Sequence, residues 1–209
     1  MFLGPWEQGG PWSSTGIEGV HRWLNRVWSL VLEEPETPEG EPSGEEIAAL
    51  ERLTHQSIRR ITQCVVGFRF NTTVAALMEF TNGLIHAKET AVVKSRAWQE
   101  AILTLFIPKA HSVPHIAEEL WQEVDSSGES VHSQSWPEWD EAKARDVTIT
   151  LVIQIDGRLR DKLQVPAGLP AQEARELALS RERIKRRLEG VEVRKVIYVP
   201  DRLVNIVTG

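Results

Sequence analysis

Past residue 143 the chain stops repeating its apolar residues every three or four positions and begins to alternate them. Val147, Ile149, Leu151, Ile153 and Ile155 are separated by mostly polar neighbours, which is the period of a strand with one buried face, whereas the residues before 125 follow the period of a helix. One layer cannot serve both rhythms, so the chain must build a helical unit and then a sheet unit. The charge divides at the same place. Residues 1–142 hold 10 Lys+Arg and 21 Asp+Glu, a net of −11, and residues 143–209 hold 14 and 9, a net of +5. A polyanion is attracted to the second region and, local patches apart, repelled by the first.

The helical part has clear end signals. Thr15 and Glu18 have capping-box spacing, followed by a stripe of Val20, Trp23, Leu24, Val27, Trp28 and Val31. The segment 33–46, EEPETPEGEPSGEE, holds seven glutamates and three prolines and reads as a solvated insert that ends in a second capping box, Ser43 and Glu46. A second helix runs to about Val66, with Ile47, Leu50, Leu53, Ile58, Ile61 and Val65 inward. Asn71 is the expected cap of a third, a fourth spans roughly 90–107 and stops at Pro108, and Pro114 opens a short fifth. Residues 125–142 lack any period and read as a linker. The predicted domains are therefore an antiparallel helix bundle over 1–124, the linker 125–142, and an α+β domain over 143–209.

The second domain reads as β-β-α-β-β. Asp156-Gly157 signals a hairpin, but a plain two-residue loop puts Arg158 and Arg160 opposite Ile155 and Ile153. One added residue, from a longer loop or a turn plus a bulge, instead pairs Ile155 with Leu159, Leu151 with Leu163 and Ile149 with Val165, and leaves Asp161 as a misfit. In that register Arg160 and Lys162 share the solvent face with Gln154 and Thr150, and Arg158 sits at the tip. One helix over 170–188 and two strands, 193–199 and 203–207, complete the unit.

Few residues invite chemistry. The single cysteine, Cys64, excludes a disulfide framework, and no apolar run is long enough to span a membrane, so the expected location is the cytoplasm. His111, His115, Glu118 and Glu119 lack a further ligand at useful spacing, Ser126, Ser127 and Ser130 lack an oriented base, and no phosphate-binding glycine loop occurs. No catalytic residue and no metal site are expected. The cations at 158–162, 181–187, 194–195 and 202 are open to two readings, a solvated face or a phosphate-binding surface thinned by interleaved acids. Trp23 and Trp28 fall on or beside a helix stripe and read as core. Trp6, Trp12, Trp136 and Trp139 lie in Pro/Gly/Ser-rich stretches and are candidates for a partner interface.

Longer stretches are more telling. MFLGPWEQGGPWSSTGIEGVHRWLNRVW, FNTTVAALMEFTN and PHIAEELWQ resemble successive helices of the tRNA-binding domain of bacterial leucyl-tRNA synthetases, and IQIDGRLRDKLQVP and VRKVIYVPDRLVNIV resemble that family's C-terminal domain. The resemblance implies a bundle of the class I anticodon-binding type. The family's H-I-G-H and K-M-S-K-S signatures and its editing domain do not occur in this sequence. ATP and magnesium are therefore expected to belong to a catalytic part outside this chain, with no cofactor here.

What the resemblance implies for this chain is a non-catalytic portion that positions tRNA(Leu) and docks on the catalytic part of the synthetase, with no role for DNA. Its implied tRNA contacts are Arg22, Arg26, Arg59 and Arg60 on the bundle, along the inside of the tRNA. At the tRNA elbow they are Arg158, Arg160, Lys162, Arg194, Lys195 and Arg202. Such contacts fix orientation through phosphate, sugar and shape. The other reading is a protein-interaction module that docks through Trp6 and Trp12 without touching RNA.

Overall fold

The computed structural model describes residues 4, 8–9, 14–33, 38–125 and 127–209. They form two compact units that divide after Arg145. Trp6, Trp12 and the side chain of Thr15 lie outside the described residues.

The first unit contains α1 (Ser14–Leu32), α2 (Gly44–Val66), α3 (Phe70–Lys88), α4 (Arg96–Ala110) and α5 (Pro114–Val124). At the start of α2 the predicted capping box forms in both directions: Glu46 N donates to Ser43 Oγ at 3.1 Å, and Ser43 N donates to Glu46 Oε2 at 2.7 Å. Pro114 occupies the first turn of α5. The core joins Trp23, Val27 and Leu30 of α1 to Leu50 and Ile61 of α2, Leu77, Phe80 and Leu84 of α3, Leu105 and Phe106 of α4, and Leu120 and Trp121 of α5.

Several expected details differ. Trp28 is 42% exposed, because the inward arc of α1 is narrow and is filled by Trp23, Val27 and Leu30. Pro108 lies inside α4 instead of ending it. In the last turn a proline forfeits only one helical bond, and Ala110 still closes the helix. The stretch 91–94 is a 3₁₀ turn, and Ser95, accepting from Trp98 N, caps α4. The residue that caps α3 is Arg69, with no side-chain bond, so Asn71 is already helical.

Residues 125–145 are packed on the bundle. Val131 and Ala144 are buried. Trp136 Nε1 donates to Thr62 Oγ1 at 2.8 Å, Gln56 Nε2 to the Ala144 carbonyl at 3.1 Å, and Lys143 Nζ to Glu51 at 2.9 Å. Trp136, a candidate partner residue, thus serves the unit's own packing. Trp139 is half-buried, with its indole N–H donating to Glu141 at 2.8 Å.

The second unit is a four-stranded sheet of order β2-β1-β4-β3, with β1 (Thr148–Ile155), β2 (Arg158–Pro166), β3 (Val193–Val199) and β4 (Leu203–Thr208). The central pair β1–β4 is parallel and both outer pairs are antiparallel. Leu151, Ile153, Ile155, Val165, Val204 and Ile206 are buried together with Ala174, Ala178 and Ile184 of the covering helices. That cover is two helices, α6 (Ala171–Ser180) and α7 (Glu182–Leu188), where one was expected. The break falls at Arg181, which has extended backbone and donates from Nε to Asp161 Oδ2 at 2.9 Å.

Candidate nucleic-acid interface

The hairpin turn is the tightest available. Asp156 and Gly157 have φ of 49° and 75°, the pair of positive angles that a two-residue turn between twisted strands requires. The turn is tied down from β4: Thr208 N and Oγ1 donate to the Asp156 carboxylate at 2.9 and 2.7 Å, and Gly157 N donates to Asn205 Oδ1 at 3.1 Å. The Thr208 bonds, with the charges of Arg160 and Arg158 behind them, hold the Asp156 carboxyl below its ordinary pKa.

Ile149 pairs with Val165 and Leu151 with Leu163, as the parity argument requires, but Ile155 pairs with Arg158 and not with Leu159. The extra residue is taken up one step further along, where Gln154 faces Leu159, Ile153 faces Asp161, and Arg160 has no partner. That is a bulge, which breaks the alternation and re-aims the side chain. Leu159 is left half-exposed, and Arg160 is partly buried with its Nε unsatisfied. Asp161, the apparent misfit, points to the covered face and is satisfied by Arg181 and by Lys162 N. Those two bonds, Arg181 first, keep its carboxyl pKa low.

The opposite edge repeats the device. Val193 pairs with Thr208 and Lys195 with Val207, so Arg194 is the unpaired residue of β3. Its side chain lies against Gly209, where a Cβ would meet Arg194 Nε at 2.9 Å. Register places Lys162, Val152, Leu203 and Val199 across one row of the open face, and Val207 and Lys195 side by side on it. The open face therefore mixes Val152, Leu203 and Val207 with Thr150, Gln154 and Asn205 in the middle and carries one lysine on each edge strand, Lys162 and Lys195, three strand spacings apart, about 14 Å. Arg202 sits in the β3–β4 turn, where its carbonyl accepts from Val152 N at 3.1 Å. Arg158, Lys162, Arg194, Lys195 and Arg202 are exposed. Arg183, Lys185, Arg186 and Arg187 are exposed on α7, behind the sheet.

On the bundle the four predicted arginines divide. Arg22 and Arg26 are exposed one turn apart on α1. Arg59 is paired with Glu141 at 3.0 Å, and Arg60 forms a two-pronged pair with Glu79. Neither pairing is visible in local sequence, because the acids lie 82 and 19 residues away. Among the described residues no cluster of three or more His, Cys, Asp or Glu could hold a metal ion, and no helix is long and apolar enough to cross a membrane.

The chain aligns with curated leucine–tRNA ligases over nearly all of its length. It is 49% identical to that of Dehalococcoides mccartyi over 209 residues and 47% identical to that of Rubrobacter xylanophilus over 213 residues. The alignments take in 99% and 100% of this chain and 25% of each relative, so the chain spans about a quarter of their length. Among solved structures it matches a chain of the ternary complex of Agrobacterium radiobacter K84 agnB2 LeuRS, tRNA and LeuAMS, with a TM-score of 0.75 and 26% identity over 96% of this chain and 26% of that one. The family model described as the anticodon-binding domain of tRNA ligase matches residues 48–175, more than half of the chain. This chain belongs to the family of tRNA-ligase anticodon-binding domains.

Proposed function

We propose that this chain is the tRNA-binding, non-catalytic C-terminal part of a leucine–tRNA ligase, acting in the cytoplasm to position tRNA(Leu) for leucine attachment carried out on a catalytic part outside it. The observation that carries this reading is the end-to-end match to one kind of ligase at up to 49% identity. The solved neighbour at 26% identity was crystallised with tRNA. Lys162 and Lys195 on the two edge strands of the open sheet face, with Arg158 and Arg202 exposed at the turns of the unit, supply charge to grip phosphate, and Val152, Leu203 and Val207 supply apolar surface between the edges. ATP and magnesium have no place in this chain's role and belong to the catalytic part.

The test is tRNA(Leu) binding across a range of salt for the unaltered chain and for the triple variant Arg158→Glu, Arg160→Glu, Lys162→Glu. Each phosphate that the variant no longer neutralises is expected to lower the log–log salt slope by about 0.7–0.9. Unchanged affinity and slope would remove the hairpin from the interface. Association with a separately produced catalytic part, without any tRNA shift, would assign the chain to protein docking alone.

A further inference from the structure

At the α2–α3 corner a phenylalanine occupies backbone that suits glycine. Helix α2 ends in two reverse bonds, Arg69 N to Cys64 O at 2.8 Å and Phe68 N to Val65 O at 3.0 Å. In this termination the first of the two donors, the residue just past the cap, adopts left-handed backbone and is usually glycine. Gly67 stands next to that position, yet its φ is −83°, and the left-handed residue is Phe68 at φ 54°. A bulky side chain there is strained and rare.

The fold gains no burial in return. Phe68 is 70% exposed and Val66 74%. The Phe70 ring meets the Phe68 ring edge-on, with centroids 5.8 Å apart at 81°, which fixes the Phe68 ring while leaving it accessible. Nearby at the same bundle end the exposed His111 ring packs edge-on against the partly buried Trp136, which is bonded to Thr62 one turn before the corner.

Charge indicates what the ring faces. Residues 52–78 contain four arginines and no Asp or Glu, inside a unit whose residues 1–145 hold 12 Lys+Arg against 21 Asp+Glu, a net of −9. Arg59 and Arg60 are paired with Glu141 and Glu79, whereas Arg69, beside the ring, is exposed and has one long bond, 3.4 Å to the Gln63 carbonyl. An accessible aromatic face next to an uncompensated guanidinium is how proteins hold an unpaired nucleotide, base on ring and phosphate on cation.

We propose that the α2–α3 corner is a base-stacking platform, on which Phe68, braced by Phe70, stacks against an unpaired nucleobase of the bound tRNA while Arg69 holds a neighbouring phosphate. This rests on the tRNA-binding reading above.

The test uses the full chain and a tRNA(Leu) transcript, with anisotropy titrations over a salt series and thermal melts. Phe68→Gly is expected to raise Tm by roughly 2–4 °C. The same change weakens tRNA binding about five- to hundredfold with the salt slope unaltered, and Phe68→Trp keeps the affinity. Arg69→Gln lowers the slope by about 0.7–0.9. Wild-type affinity in Phe68→Gly overturns the platform, as does a defect of that variant confined to association with the separately produced remainder of the ligase. If the hairpin triple variant loses tRNA and Phe68→Gly does not, the platform alone falls. If the unaltered chain fails to bind tRNA at low salt, both readings fall.

Discussion

The ammonium of Lys109 lies 5.4 Å from the ring centroid of Trp23, sealed in the bundle core. Phe106 stands 5.6 Å away on its own helix, and Nζ has no hydrogen-bond partner. Ring faces offset part of the cost of burying a cation, but far less than water would. Burial pulls its pKa down to about 7. The unfolded chain binds this proton up to about pH 10.5, so the penalty is absent above that value and grows as pH falls. It levels off below pH 7 at on the order of 3–5 kcal/mol. Lys109→Met is expected to raise the denaturant midpoint at pH 7 and to remove most of the difference between pH 7 and pH 10. A wild-type stability that stays flat from pH 7 to 10 would contradict this assignment.

Lys88 closes a helix that is not its own. Its ammonium donates to the carbonyls of Ser29 at 3.2 Å, Leu30 at 3.0 Å and Glu33 at 2.5 Å, at the end of α1, which has no basic residue in its last turn. The cation satisfies orphan carbonyls and meets the negative end of the helix dipole. Lys88→Met is expected to cost about 1–3 kcal/mol and to speed hydrogen exchange in the last turn of α1 more than elsewhere. Uniform exchange changes would argue against a local cap.

Asp161 and Arg181 form a pair with one side buried: the carboxylate is nearly sealed and the guanidinium is 43% exposed. Arg181→Met, which strands the carboxylate, is expected to destabilise the unit by about 1–3 kcal/mol. Adding Asp161→Leu should recover most of that loss. The folded pKa of Asp161 is below its unfolded value, so this stabilisation is complete above about pH 4 and is lost as pH falls through the folded pKa. A double variant no better than Arg181→Met would show that the carboxylate was not the source of the cost.

Trp136 anchors residues 125–145 through its bond to Thr62. Trp136→Phe keeps one aromatic ring and deletes that bond. The expected loss is about 1 kcal/mol, with amide protection reduced selectively over 131–145. Undiminished protection there would mean that Gln56 and Lys143 hold the segment without it.

What the sequence made legible was whatever is set by neighbours. The Ser43–Glu46 box, the Pro114 start, all four strands and the need for one extra residue in the hairpin, though not its place, follow from spacings of a few residues. What it concealed depends on partners far along the chain. The stretch 125–142 lacks periodicity because indole and amide bonds to α2, not a repeating face, hold it on the bundle. The break at Arg181 answers to Asp161, twenty residues earlier. Arg59 and Arg60 look like free cations until Glu141 and Glu79 come alongside. Phe68 was hidden for another reason: a glycine beside a helix end invites the wrong assignment, and only backbone angles show that the left-handed step was moved by one residue.

The two bulged arginines also bear on how the second unit behaves in a crowded solution. A four-stranded sheet that does not close has two free edges, and each is an invitation for a strand from another copy to continue the ladder. Arg160 and Arg194 interrupt that ladder, one on each outer strand, so an incoming chain finds neither a regular row of donors and acceptors nor a neutral approach. The bulges at these two residues thus keep the sheet from growing. Straightening either bulge by deleting its arginine would therefore endanger solubility before it endangered the fold.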